Sequence, residues 1–144
     1  MIRSIYHDTL VSVITTKVDA DDEVITPSAG VDMTGFDGVA FVCVAGKGEV
    51  GSLSMKAQQD TDSAFGTAAD LEGTATSFAT AVAADGICVL DIYQPQERYV
   101  RPVLTVPDFS TARPISIIAI QYGAREMPQT NTGEFHQSPD EGTA

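Results

Sequence analysis

The sequence predicts an all-β protein: a single antiparallel β-sandwich of about eight strands, with an extended arm at each terminus. Three observations carry this expectation. Short runs rich in Val, Ile, Leu, Thr and Tyr recur at residues 10–17, 38–45, 87–93, 99–106 and 115–122, a composition suited to a pleated, half-buried surface. Between them stand clusters built on Gly, Pro and Asp, which fix or free φ and withhold backbone donors where a ladder should stop. No heptad pattern and no long internal repeat runs through the chain, and its 144 residues suit one domain that buries roughly 70% of the surface its unfolded chain exposes.

In chain order, residues 1–9 form an N-terminal arm without a clear period, in which Ile2, Ile5 and Tyr6 are available to pack on a neighbour. Residues 10–126 form the sandwich. The first strand, 10–17, is β-branched almost throughout and is followed by Asp-Ala-Asp-Asp-Glu at 19–23. As a calcium loop that run lacks the bend glycine and the distant glutamate of an EF-hand, so it reads as a solvated turn. Val24 and Ile25 make a short strand, and 27–38 is a loop pinned by Val31, Met33 and Phe36. Residues 38–45, Gly-Val-Ala-Phe-Val-Cys-Val-Ala, are apolar at successive positions, which predicts a central strand covered on both faces.

Residues 46–51 read Gly-Lys-Gly-Glu-Val-Gly, a literal G-x-G-x-x-G after a strand, with Asp70 downstream. A dinucleotide fingerprint must open a helix whose N-terminus receives the pyrophosphate. Residues 52–59 instead alternate polar with apolar at period two, so the glycines are expected to turn a β-hairpin. The polar run 58–69 carries one aromatic, Phe65, expected to fold back over the core edge. Residues 70–84 mix alanine with glycine and threonine, and 78–82 is taken as a strand. The stretch 86–125 holds three strands separated by proline clusters, an expected three-strand meander. Residues 127–144 are polar, with two prolines, two glycines and the aromatic Phe135. Such a tail is expected to be disordered, or ordered against a neighbouring subunit, since it cannot offset its ordering entropy alone.

Charge narrows the function classes. The net charge is −12, from 20 acids against 8 bases, with no basic cluster, which disfavours direct nucleic-acid binding. Four of the bases, Arg98, Arg101, Arg113 and Arg125, fall in or beside the 86–125 stretch. Arginine is favoured at interfaces, so Arg98, Arg101 and Arg113 join the arm residues and Phe135 as expected partner contacts. The N-terminus is too polar for a signal peptide, and no apolar run approaches the roughly 18 residues of a membrane span.

Catalytic chemistry is not legible. The two histidines, His7 and His136, lie in the terminal arms without metal-ligand spacing, and the two cysteines, Cys43 and Cys88, lie in apolar strand runs as expected free, buried thiols rather than a cross-strand disulfide. There is no G-x-S-x-G elbow, and Lys47 is followed by Gly48 rather than by Ser or Thr. Asp91, inside an apolar strand, is expected to pair across the sheet with an arginine. The protein is therefore expected to be no enzyme and to need no cofactor or metal.

A resemblance takes the reading further. Arg98-Tyr99-Val100-Arg101-Pro102-Val103-Leu104-Thr105-Val106, then Ile118-Ala119-Ile120-Gln121-Tyr122-Gly123-Ala124-Arg125 and Pro128, resemble the C-terminal half of small structural proteins encoded among tailed-phage head genes. Gln58-Gln59-Asp60-Thr61-Asp62-Ser63-Ala64-Phe65 is similar to their polar turn. The resemblance spans roughly residues 38–128 and implies a jelly-roll-like sandwich serving as a head decoration, or cement, protein. It further implies a homotrimer on the outer capsid surface that contacts the major capsid protein, made in the host cytoplasm. The acidic composition fits an outer shell face better than a DNA-facing one. Another virion subunit, of tail or head-completion type, and a small-ligand or carbohydrate-binding sandwich are the alternatives; the absence of tryptophan weighs against sugar stacking.

Overall fold

A computed structural model of the chain describes residues 4–19, 23–48, 50–80, 85–107 and 111–135. A short helix, α1 (Ile5–Asp8), precedes ten strand segments: β1 (Leu10–Asp19), β2 (Glu23–Ile25), β3 (Val31–Asp32), β4 (Gly38–Ala45), β5 (Gly51–Asp60), β6 (Ala69–Asp70), β7 (Thr76–Thr80), β8 (Gly86–Tyr93), β9 (Tyr99–Val106) and β10 (Arg113–Tyr122). All pair antiparallel. One sheet runs β1-β10-β4-β8 and the other β2-β9-β5-β6, with β3 also on β9 and β7 also on β5. Because β2 and β3 share one partner, and β6 and β7 another, ten segments make eight lanes, as expected.

The connectivity is that of a jelly roll. Folded as one long hairpin, the chain pairs β1 with β10, β2 and β3 with β9, β4 with β8, and β5 with β7. Wrapping that hairpin then lays β10 beside β4 and β9 beside β5. Two expectations fall on this topology. The stretch 86–125 is not a meander, since β8 and β10 lie in one sheet and β9 in the other. Likewise β4 and β5 form no hairpin, because the chain crosses between sheets there. Proline and glycine clusters do stop a strand, but they serve a crossover as well as a hairpin.

The glycines at 46–51 have a packing role in that crossover. A Cβ on Gly46 would come within 2.7 Å of the Pro114 ring, and one on Gly48 within 2.9 Å of the Arg113 guanidinium. Gly46 also donates its N–H to the Pro114 carbonyl at 2.8 Å. The run lets the chain pass close over the start of β10 and opens no helix.

The core fills the space between the sheets. Val39, Phe41, Cys43 and Ala45 of β4, with Ile115, Ile117 and Ala119 of β10, face Leu53, Met55 and Ala57 of β5 and Val100, Leu104 and Val106 of β9. Burial alternates at period two along β8 and β10. Along β4 it alternates too, and Val44 on the outward side is 42% exposed. The strand is central within its sheet, but among the described residues only its inward face is covered, because the sandwich has two layers.

The 60–67 turn is organised by Asp60, whose carboxylate accepts the N–H of Asp62 at 3.0 Å and of Thr67 at 2.8 Å, and the Thr67 hydroxyl. Those bonds hold its carboxyl below the usual range, the Asp62 N–H contributing most. Phe65, at φ 53°, folds back as expected and is buried. Gly30 makes room, since a Cβ there would lie 2.6 Å from the Phe65 ring. The strand expected at 78–82 begins at Thr76; residues 81–84 lie outside those described. The same holds for 20–22, in the acidic turn, for Ile2 and for His136.

The described part of the tail is ordered on its own chain. Tyr6 donates its hydroxyl toward the carbonyls of Asn131 and Gly133, at 3.1 and 2.9 Å, and Asn131 Nδ2 donates to the carbonyls of Tyr6 and Thr9. The Phe135 ring meets His7 edge-on at 4.6 Å. Residues 129–135 thus clasp the N-terminal arm of the same chain; residues 136–144 of the expected tail lie outside those described.

Candidate interaction surface

The two outer faces of the sandwich follow from strand register and differ in chemistry. On the β1-β10-β4-β8 sheet, residues aligned across the strands form the row Val13, Ile118, Val42, Val89. Beside it lies Val11, Ile120, Ala40, Asp91, and on the other side Thr16, Ser116, Val44, Ile87. Val13 is 69% exposed, Ile87 64% and Val89 57%. Asp91 is the one charged side chain among the described outward positions of the four strands.

Asp91 has a different partner from the arginine expected. The Tyr122 hydroxyl donates to its carboxylate at 2.6 Å, across Gly38, whose missing side chain lets the tyrosine ring lie over the strand; a Cβ there would be 2.3 Å from the ring. Burial and the neighbouring carboxylate push the Tyr122 phenol up to about 12. Register alone places Tyr122 and Tyr93 in one row with Gly38, diagonal to Asp91 and within a phenol's reach.

The outer face of the other sheet is mostly polar, although Val24 and Val103 also take outward positions on it. Lys56 pairs with Asp70 at 2.6 Å, and Gln58 Oε1 accepts from Arg101 Nε and Nη2 at 3.0 and 2.9 Å. The Arg101 guanidinium also lies 4.4 Å over the Phe65 ring. Arg98 reaches Asp32 with both Nε and Nη2, which holds the Asp32 carboxyl far below its ordinary value.

The expected partner contacts therefore scatter. Ile5 is 69% exposed on α1, while Tyr6 and Phe135 are engaged in the arm–tail clasp. Arg98 keeps an exposed guanidinium in its pair with Asp32. Arg101 is half-buried within the polar sheet face. Arg113 is fully enclosed and presents no surface to a partner: it starts the central strand β10, where Gly48 packs on its guanidinium. The structure does not gather these residues into one patch. What sequence reading missed is the outer row of Val13, Ile118, Val42 and Val89; the signal was there in β4, whose two faces are both apolar.

The two cysteines lie inside the fold. Cys43 and Cys88 stand opposite each other in register as free, buried thiols. Burial pushes the Cys43 thiol up to about 12 and raises Cys88 as well, the reverse of an activated nucleophile. No three His, Cys, Asp or Glu side chains group as metal ligands among the described residues. At one end of the sandwich, residues 94–97 separate two open clefts of about 480 and 530 Å³. The first is lined by Met33, Phe36 and Arg125 among others, the second by Glu72, Tyr93 and Gln96.

No family model matches the chain, and no curated protein matches it. Among solved structures it is similar to the PBSX exported protein XepA. The likeness has a TM-score of 0.57 at 14% identity, and it covers 92% of this chain and 43% of that one. The chain thus spans less than half the length of that protein, and what the two share is the fold.

Proposed function

We propose that the protein is a virion structural subunit of a tailed phage, acting as a decoration protein that binds the outside of the head and bridges adjacent major capsid subunits. The observation that carries this reading is the uncovered apolar sheet face, a surface made for protein contact on a chain that is otherwise strongly acidic. An exposed apolar patch of more than a few hundred Å² on a folded domain marks an interaction site. The likeness in fold to an exported protein of the phage PBSX supports a phage origin, and the jelly-roll topology supports a structural role. The resemblance at residues 38–128 adds a homotrimer as the bound form. In this reading Ile5 and Arg98 are the exposed members of the expected contacts, and binding requires no catalysis or cofactor.

The test is co-sedimentation of purified protein with expanded, undecorated heads of its cognate phage. Saturable binding at a fixed ratio to the capsid protein, with a higher temperature of head rupture, is the expected result; failure to bind any such head sinks the reading. The 530 Å³ cleft beside the exposed Tyr93 favours the small-ligand reading as the runner-up, and specific, saturable binding on a glycan array would support it instead.

A further inference from the structure

We propose that the outward face of the β1-β10-β4-β8 sheet is a self-docking surface, on which two copies of this chain pack face to face about a two-fold axis. The pairing is that of the free protein and takes the face that the capsid reading opens to the head, so the two exclude each other on one copy; the mass of the free protein tests the pairing, and head binding tests the capsid contact.

Size is the first argument. Four strands about 4.8 Å apart, each about eight residues long at about 3.4 Å per residue, give a footprint on the order of 500 Å² per copy. A pair then covers about 1,000 Å², the threshold for a specific interface before any rim is counted. The packing is the one the protein already uses inside, sheet against sheet at about 10 Å with interdigitating branched side chains.

Complementarity is the second. The other large exposed apolar residues described, Ile5, Val24, Val50 and Met127, are scattered singly over the molecule. Among its described residues a copy therefore offers this face no extended apolar counterpart except the same face, and a surface that is its own complement assembles isologously. A two-fold axis near the central row lays Val13, Ile118, Val42 and Val89 across their own symmetry mates.

Charge is the third. Each copy carries a net −12, so two copies repel wherever acids approach. This face avoids the problem, because its one charged outward position, Asp91, lies on the edge strand with its carboxylate already accepting the Tyr122 hydroxyl. It remains hydrogen-bonded at the rim instead of being buried bare. The association so formed opposes a long-range repulsion, and salt, by screening it, should tighten the pair; a salt-bridged interface would loosen.

The experiment is sedimentation equilibrium of the full chain at tens of micromolar, at low and high salt. The expected mass is an even multiple of the 15.2 kDa chain, a dimer or a hexamer of paired trimers, with tighter association at high salt. The double variant Val13→Lys and Val89→Lys, at exposed positions where the monomer keeps its fold, should weaken pairing by about a hundredfold, with circular dichroism unchanged. Val50→Lys, an exposed apolar residue off the face, should leave the mass as it was. A monomer or an isolated trimer in the wild type overturns the proposal, as does an even oligomer that ignores the double variant or that dissociates with salt.

Discussion

The two outer faces of this sandwich are built on the same backbone, and they do opposite work. On the β2-β9-β5 side, outward positions carry Lys56, Gln58, Arg101 and Asp70, tied to one another by ion pairs and hydrogen bonds; this face is finished within the chain. On the β1-β10-β4-β8 side, outward positions carry Val, Ile and Ala, which have no partner layer in the described chain. The difference teaches that exposed apolarity here is not spread by chance over a surface that lacks polar groups. It is concentrated on one sheet, where it is continuous across the four strands.

The inner and outer rows of β4 give the largest contrast. Phe41→Ala, at a position with no exposure, should destabilise the fold by about 3–5 kcal/mol, while its neighbour Val42→Ala should cost under about 1 kcal/mol. Urea denaturation measures both. A large effect at Val42 in the monomer would mean that the outer face serves folding after all, and would break the comparison.

Next comes the polar face. Arg101→Ala removes the bonds to Gln58 and the contact over Phe65, and should lower stability by about 1–2 kcal/mol, read as a shift in the same denaturation midpoint. Oligomeric mass should not change, since this face already has its partners.

A smaller effect lies at the one polar pair of the apolar face. Tyr122→Phe should cost about 0.5–1 kcal/mol. Its pH signature is more informative. The phenol is raised to about 12 from an ordinary 10, so the folded state favours its neutral form; that contribution is complete below pH 10 and is lost as pH rises toward 12. Cys43, raised to about 12 from 9, acts in the same sense. Stability of the wild type should therefore fall between about pH 9 and 12, and Tyr122→Phe should flatten the upper part of that fall without abolishing it.

The smallest effect is expected at the exposed Asp32–Arg98 pair. Its carboxyl is held below the ordinary 3.8, so whatever it contributes is present at neutral pH and lost as pH drops below that value. Asp32→Asn should leave the midpoint at pH 7 nearly unmoved and reduce the acid sensitivity, as surface ion pairs do.

Much of the secondary structure was legible because strand formation leaves a local trace. β4 and β2 fall within a residue of the runs that predicted them, and Phe65 caps the core as its place in a polar turn suggested. The sheet partners were not legible in the same way. β9 looks like the middle of a meander because its neighbours in sequence are strands, yet its partners β2, β3 and β5 lie tens of residues away, and nothing in an eight-residue run encodes which distant edge it will meet. The arginines misled for a related reason: charge predicts exposure on average, but Arg113 sits where a central strand enters the core beside two glycines.

Sequence alone told where the long strands lie, though not the short β3 inside the expected loop 27–38 or β6; it also told that the chain is acidic and that no familiar catalytic grouping is spelled out, since these are set by composition and by the two-residue period of an extended backbone. Only the tertiary structure decided which strands share a sheet, that the tail closes on the arm, and which side of β4 looks inward. A strand apolar on both sides presents two equivalent faces to sequence analysis. Burial is decided by the layer that packs on one of them, and here the described residues leave the second face uncovered.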